Sequence, residues 1–274
     1  MQLSRYIELE NVPNCRDLGG IKNMEGKRVK SNLILRTSYL MHASKKDIEA
    51  LKKEGVTDIL DFRGDGEFAK YPDPKMDGVI IHRLPMHLLN RNGWNNNVHY
   101  PHKSYLVEHD QLDYLQEWLY VYGNGTADAL MENCYREIIS DPLVQKQWGE
   151  MFEILLNTKG ALAFHCQDGK DRTGIAAMLI LKLLKVDDET VIEEYILSKK
   201  YLGEKIARDR KQCLDHNVPE PVLTELVRVD GSEKNWMESA LKEFHKLGGY
   251  PNYFTDKLGL TEKEIKSLQD KFLE

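Results

Sequence analysis

Long apolar runs are what this chain has least of. The longest, Ile175–Leu181, stops at Lys182, far short of the roughly 20 apolar residues that cross a bilayer as a helix. Cysteine is sparse too: Cys15, Cys134, Cys166 and Cys213 stand far apart, with no Cys-x-x-Cys pair. That spacing excludes the usual zinc patterns and a dense disulfide framework, and leaves reduced thiols as the default state. A basic excess is also missing. The net charge of −6 argues against a general nucleic-acid binder, which needs a basic surface to displace counterions. Met1–Glu10 holds no apolar stretch of the signal-peptide kind. The chain is therefore expected in the cytoplasm, or elsewhere after removal of a leader.

What is present suits a globular protein. The apolar fraction is 41% and the charged fraction 30% over 274 residues, enough for a sizeable core. Segments of period 2 and period 3.6 alternate, which predicts an α/β architecture. Strands are expected at 32–35, 56–62, 79–84 and 160–164. Ser44 and Asp47 form a capping pair for a helix ending near Gly55, and Asp141-Pro142 opens another helix with Leu143, Val144, Trp148, Met151, Phe152 and Leu155 as its buried stripe. Residues 174–185 read as a helix apolar on nearly all sides, followed by an amphipathic one over 187–202. C-terminal helices are expected within 232–274, one of them opened by the capping box Thr261–Glu264. Between about 86 and 131 the pattern turns irregular and polar, with an aromatic patch at Tyr114, Trp118, Tyr120 and Tyr122. It reads either as an insertion or lid, or as a pair of core helices with a loop. With no linker or internal repeat, residues 1–274 are expected to form one domain.

The segment that carries chemistry is His165-Cys166-Gln167-Asp168-Gly169-Lys170-Asp171-Arg172-Thr173-Gly174, between an apolar strand and an apolar helix. There the loop N–H groups and the first helical turn can converge on an anion. A cysteine in such a ring of donors is stabilised as thiolate, its pKa falling from about 8.5 to roughly 3.5–7.5. Arg172, six residues on, can curl back and grip two phosphate oxygens with its planar fork. Gly169 permits close backbone approach, Thr173 can support a thiolate leaving group, and His165 can orient the loop. A lone Cys-x5-Arg arises by chance, but this one has the required strand, glycine and helix around it.

The segment resembles the signature loop of the protein tyrosine phosphatase superfamily. Its Gly-Lys-Asp-Arg-Thr-Gly form is similar to atypical bacterial tyrosine and dual-specificity phosphatases that also act on phosphoinositides. Flanking elements resemble the same subgroup: Asn14-Cys15-Arg16-Asp17-Leu18-Gly19-Gly20, Leu35-Arg36-Thr37-Ser38, Asp61-Phe62-Arg63 followed by Glu67 and Pro72-Asp73-Pro74, then Tyr135-Arg136 and the tail 248–273. The resemblance implies a central, mostly parallel sheet flanked by helices, with Cys166 as nucleophile and Arg172 as phosphate clamp. It implies phosphate binding by Gln167, Asp168, Gly169, Lys170 and Arg172, with no metal or cofactor. The substrate would be a phosphorylated protein or a phosphoinositide.

The pattern departs from the superfamily at the general acid, a group contributing about 10²–10⁴-fold. Pro85-Met86-His87-Leu88-Leu89-Asn90 holds no carboxylate where related enzymes often place an Asp. Asp171, Asp168 and His87 are the substitutes; Asp171 reads equally as loop scaffolding, and the other two more readily as structural or surface residues. Lys170 is either an added charge favouring multiply phosphorylated head groups or a solvated lysine. Arg16 and Asp17 read as a bracing pair or as part of a turn on Gly19-Gly20, Asp61 and Arg63 as a structural ion pair, and Cys15 as a partner for Cys166 on oxidation. A catalytically weak phosphate-recognition module is the competing function, and rhodanese-like sulfur transfer a third.

Overall fold

The computed structural model describes residues 4–86 and 124–274. Six strands form one sheet in the order β1-β2-β3-β6-β4-β5: β1 Arg5–Tyr6, β2 Arg16–Asp17, β3 Ile34–Thr37, β4 Val56–Asp61, β5 Ile80–Arg83 and β6 Ala161–His165. The four strands from β3 to β5 run parallel, and β1 and β2 add an antiparallel edge. β6 is the central strand, flanked by β3 and β4, and all five of its residues are buried.

Strand alternation assigns each residue to one of two cores. Ile34, Leu60, Leu162 and Phe164 point into the larger cluster, while Leu35, Ile59, Ala161 and Ala163 point into the smaller one. The smaller face is covered by helix α1, Lys45–Lys53, whose Leu51 is fully buried. The short helix α2, Asp65–Lys70, follows β4. The longer helices of the remaining chain are α3 (Ala127–Ser140), α4 (Pro142–Asn157), α5 (Asp171–Leu183), α6 (Asp188–Tyr201), α7 (Gly203–Asp215), α8 (Glu220–Asp230), α9 (Lys234–Lys246) and α10 (Glu262–Phe272). Every residue of α5 after Asp171 is buried, which accounts for its all-round apolar sequence.

The expected α/β architecture with a mostly parallel sheet is what the structure has. The capping boxes at Ser44 and Thr261 form, as does the Asp141 cap. Leu143 departs from its assigned stripe: it lies 69% exposed in the first turn of α4. The segment read as irregular over 86–131 is trimmed at both ends, because Met86 is core and α3, capped by Thr126, begins at Ala127. Residues 87–123, with His87 and the aromatic patch Tyr114–Tyr122, lie outside the described residues. Helices α7 and α8 had no counterpart in the sequence reading. α7 shows the reason: only Cys213 on it is buried, so its apolar stripe is too thin to read. Among the described residues, no helix is long and apolar enough to cross a membrane.

Candidate active site

The chain leaves β6 at its carboxyl end, between the ends of β3 and β4, and turns through residues 166–170 into α5. In parallel sheets this crevice is the usual place for a ligand. Each carbonyl oxygen of the turn is claimed by a donor. Cys166 O lies 3.0 Å from His165 Nδ1. Gln167 O accepts from the Tyr39 N–H at 3.0 Å. Asp168 O and Gly169 O each accept from Asn14 Nδ2 at 3.0 Å. Gly169 O accepts again from Arg36 Nη2 at 2.8 Å, and Lys170 O accepts from the Gly174 N–H at 2.7 Å. In a planar trans peptide the C=O and the following N–H point opposite ways. Four successive carbonyls thus turn outward and that of Lys170 opens the α5 ladder, so the N–H groups of Gln167, Asp168, Gly169, Lys170 and Asp171 face the other way, as a ring of donors.

Gly169 makes this turn possible. Its φ is +63°, and a Cβ there would sit 2.1 Å from the Thr37 carbonyl oxygen. The tight approach is to the end of β3.

Cys166 is 2% exposed at the end of β6, and Arg172 is 8% exposed one residue into α5. Glu67 grips Arg172 end-on, Oε2 accepting from Nη1 and Oε1 from Nη2, both at 2.7 Å. The Phe62 carbonyl takes a further Nη1 hydrogen bond at 3.2 Å. Nε is buried with no partner among the described residues. The side edge of the guanidinium, Nε with the second Nη2 hydrogen, thus remains for a ligand. Burial opposes ionisation of Glu67, yet the Arg172 charge pulls its pKa down to about 2. Burial likewise opposes the charge on Arg172, but Glu67 holds its pKa above the ordinary value.

His165 is buried between carboxylates, Nε2 lying 3.0 Å from Asp73 Oδ2 and Nδ1 3.8 Å from Asp61 Oδ1. Burial would lower its pKa; the bond and charge of Asp73, with Asp61, raise it overall. These three residues place ligand-type atoms within 4.8 Å of one another. Arg63 fills the same cluster, pairing Asp61 and Asp73 at 2.9 Å each. The expected Asp61–Arg63 pair is therefore part of a larger buried network.

Asp171 accepts a hydrogen bond from Tyr135 Oη at 2.7 Å, and the Tyr195 hydroxyl lies 2.6 Å from Tyr135 Oη. Lys170 is 2% exposed and directed away from the ring of donors. Its Nζ donates to the Val229 and Gly231 carbonyls at 2.6 and 2.8 Å and stands 3.0 Å from Asp171 Oδ1. A solvated Lys170 is excluded. Asp168 lies 3.5 Å from Lys205 Nζ. Thr173 Oγ1 and Gln167 Oε1 are buried without a hydrogen-bond partner among the described residues.

Arg16 does not pair with Asp17. It reaches Glu194 at 2.5 Å, and Glu194 also binds Arg36 at 2.6 Å, all three essentially inaccessible. Asp17 instead accepts from the Gly19 and Asn32 N–H groups, closing the turn. Cys15 is fully buried in the smaller core while Cys166 belongs to the larger one, and both thiols are free. Burial pushes the Cys15 thiol up to about 12, which leaves it protonated and poorly suited to exchange with Cys166.

Asn14, Glu67 and Glu194 were not read as site residues. Asn14 and Glu67 stand in the resembling elements, the only signal that pointed to them; Glu194 had none.

The family profile described as "Tyrosine phosphatase family" matches residues 7–274. A Cupriavidus necator protein provisionally named a tyrosine-protein phosphatase is 25% identical, covering 97% of this chain and 88% of that protein. The tyrosine-protein phosphatase of Nostoc commune is 26% identical, covering 88% and 74%. The triple specificity protein phosphatase PtpB of Mycobacterium tuberculosis is 24% identical, covering 73% and 72%. Among solved structures, TpbA of P. aeruginosa in complex with pTyr matches 79% of this chain and 89% of that one, at 15% identity and a TM-score of 0.28.

Proposed function

The chain belongs to the tyrosine phosphatase family, and on that premise we propose that it hydrolyses phosphate monoesters, phosphotyrosine foremost, through a cysteinyl-phosphate on Cys166. The observation that carries this reading is the match between ring and clamp. Five inward N–H groups and the unpaired side edge of Arg172 supply donors for the non-bridging oxygens of one phosphate, where the transition state gathers charge. The Cys166 sulfur attacks phosphorus, and the leaving oxygen takes a proton from Asp171. Water then attacks the cysteinyl-phosphate, Asp171 recovers a proton from it, and Thr173 steadies the departing thiolate. Gln167, Asp168, Gly169 and Lys170 contribute through the backbone.

Phosphoserine, phosphothreonine and phosphoinositides are further substrates under this reading; the words "triple specificity" in the name of the PtpB relative support a range wider than phosphotyrosine alone. The engagement of Asp171 by Tyr135 and Lys170 favours, as a second reading, a module that binds phosphate and turns over slowly. Release of p-nitrophenol from p-nitrophenyl phosphate decides between them. Turnover is expected in the wild type and lost in Cys166→Ser; equal rates in both would sink the nucleophile, and tight phosphate binding without turnover would favour the module.

A further inference from the structure

Two buried phenols beside the site have no part in the steps above. Tyr135 stands on α3 and Tyr195 on α6, neither more than 1% exposed. Their hydroxyls lie 2.6 Å apart, and Tyr135 Oη donates to Asp171 Oδ1 at 2.7 Å. Burial first, then the charge of Asp171, holds both phenols well above the ordinary pKa, so each keeps its proton. Tyr135 spends its one hydrogen on Asp171. Tyr195 therefore donates to Tyr135, and the chain of bonds has one direction. Lys170 Nζ meets the same Oδ1 at 3.0 Å. Trp236 of α9 backs both donors, its ring 6.4 Å from that of Tyr135 and 5.4 Å from Lys170 Nζ. Oδ2 has no hydrogen bond among the described residues, and the Asp171 side chain keeps 21% of its surface exposed. Gly174 supplies the space for this arrangement. A glycine inside a helix costs about 1 kcal/mol relative to alanine, yet a Cβ here would sit 3.0 Å from the Tyr195 ring.

We propose that Tyr135, held by Tyr195, is a positioning residue for proton transfer, fixing Asp171 with Oδ1 inward so that Oδ2 carries the proton given to the leaving oxygen. This rests on the reading of Asp171 as the acid and names what aims it. Oδ1 already faces an O–H donor and an ammonium, and a proton added there would collide with both. Oδ2 takes it instead. As the sulfur–phosphorus bond forms and the bond to the ester oxygen breaks, that oxygen receives the Oδ2 proton and Asp171 is left as a carboxylate. Its new charge is met by Tyr135 and Lys170, donors already in place. The phenol thus orients the acid rather than withdrawing it from use.

Leaving-group dependence separates this role from packing. Phenyl phosphate needs its departing oxygen protonated; 2,4-dinitrophenyl phosphate, which releases a stable phenolate, does not. Tyr135→Phe keeps the ring and removes the donor. It is expected to lower kcat/KM about 10-fold or more on phenyl phosphate, leaving the dinitrophenyl ester and competition by inorganic phosphate nearly unchanged. Tyr195→Phe should show the same bias, weaker. Asp171→Asn should show it most strongly, and adding Tyr135→Phe to it should cost nothing further. An equal loss on both esters, no loss on either, or an additive loss in the double variant would overturn the positioning role and leave Asp171 as the acid. An Asp171→Asn variant without the bias would overturn the acid, and the positioning role with it.

Discussion

At the scale of single residues, Arg172 divides its donors by direction. Glu67 and the Phe62 carbonyl take one edge and leave the other. Lysine has no such fork, so Arg172→Lys should fail almost as badly as Arg172→Ala. Both are expected to lower kcat/KM by about 10²–10³-fold or more, read with p-nitrophenyl phosphate; a near-wild-type rate in either would remove the clamp. Glu67 adds a pH signature. Its pKa is about 2 in the fold against an ordinary 4.5. Its contribution to stability is thus complete above pH 4.5 and fades as pH falls toward 2. Glu67→Gln should flatten that acid limb in melting curves and loosen Arg172, lowering kcat/KM about 10-fold or more. Cys166 and Arg172 were legible because their spacing is local. Asn14 as a loop brace was not, since it meets Asp168 154 residues along the chain, a pairing that no periodicity records.

At the scale of elements, the strand–turn–helix unit β6–α5 depends on its neighbour β3. Gly169→Ala combines a left-handed backbone with a Cβ 2.1 Å from the Thr37 carbonyl. It is expected to cost about 2 kcal/mol or more, measured as a lower denaturant midpoint; an unchanged midpoint would mean the turn can move off β3. His165 links β6 to the segment around Asp73. Its pKa is raised above the ordinary 6.5, so its contribution is complete below pH 6.5 and is lost as pH climbs through the raised value. His165→Asn should flatten the alkaline side of the melting-temperature profile and leave the acid side governed by Glu67. Elements announced by caps, α1, α4 and α10, were readable because a capping side chain acts within three residues. β1 and β2, of two residues each, are too short to show alternation and exist only through pairing, β2 with β3 and β1 with β2.

At the scale of the whole molecule, the turn is braced by charge brought together from β2, β3 and α6. Arg16 and Arg36 share Glu194; burial and the neighbouring Arg36 lower the Arg16 pKa to about 10 even beside that carboxylate. Glu194→Gln would leave two buried guanidinium groups without a counter-ion, at about 3–5 kcal/mol, readable by chemical denaturation. A loss below about 1 kcal/mol would show that water reaches the cluster. The overall architecture could be read because hydrophobic periodicity survives in a linear sequence. This network could not, because in the chain its members look like ordinary surface charges. The outward carbonyls have a last consequence. A receptacle held open by Asn14, Arg36 and Tyr39 is complete before any ester arrives, and so it also accommodates the free anion that the reaction releases. Inorganic phosphate should compete with substrate, and should raise the unfolding temperature as its concentration passes its own dissociation constant.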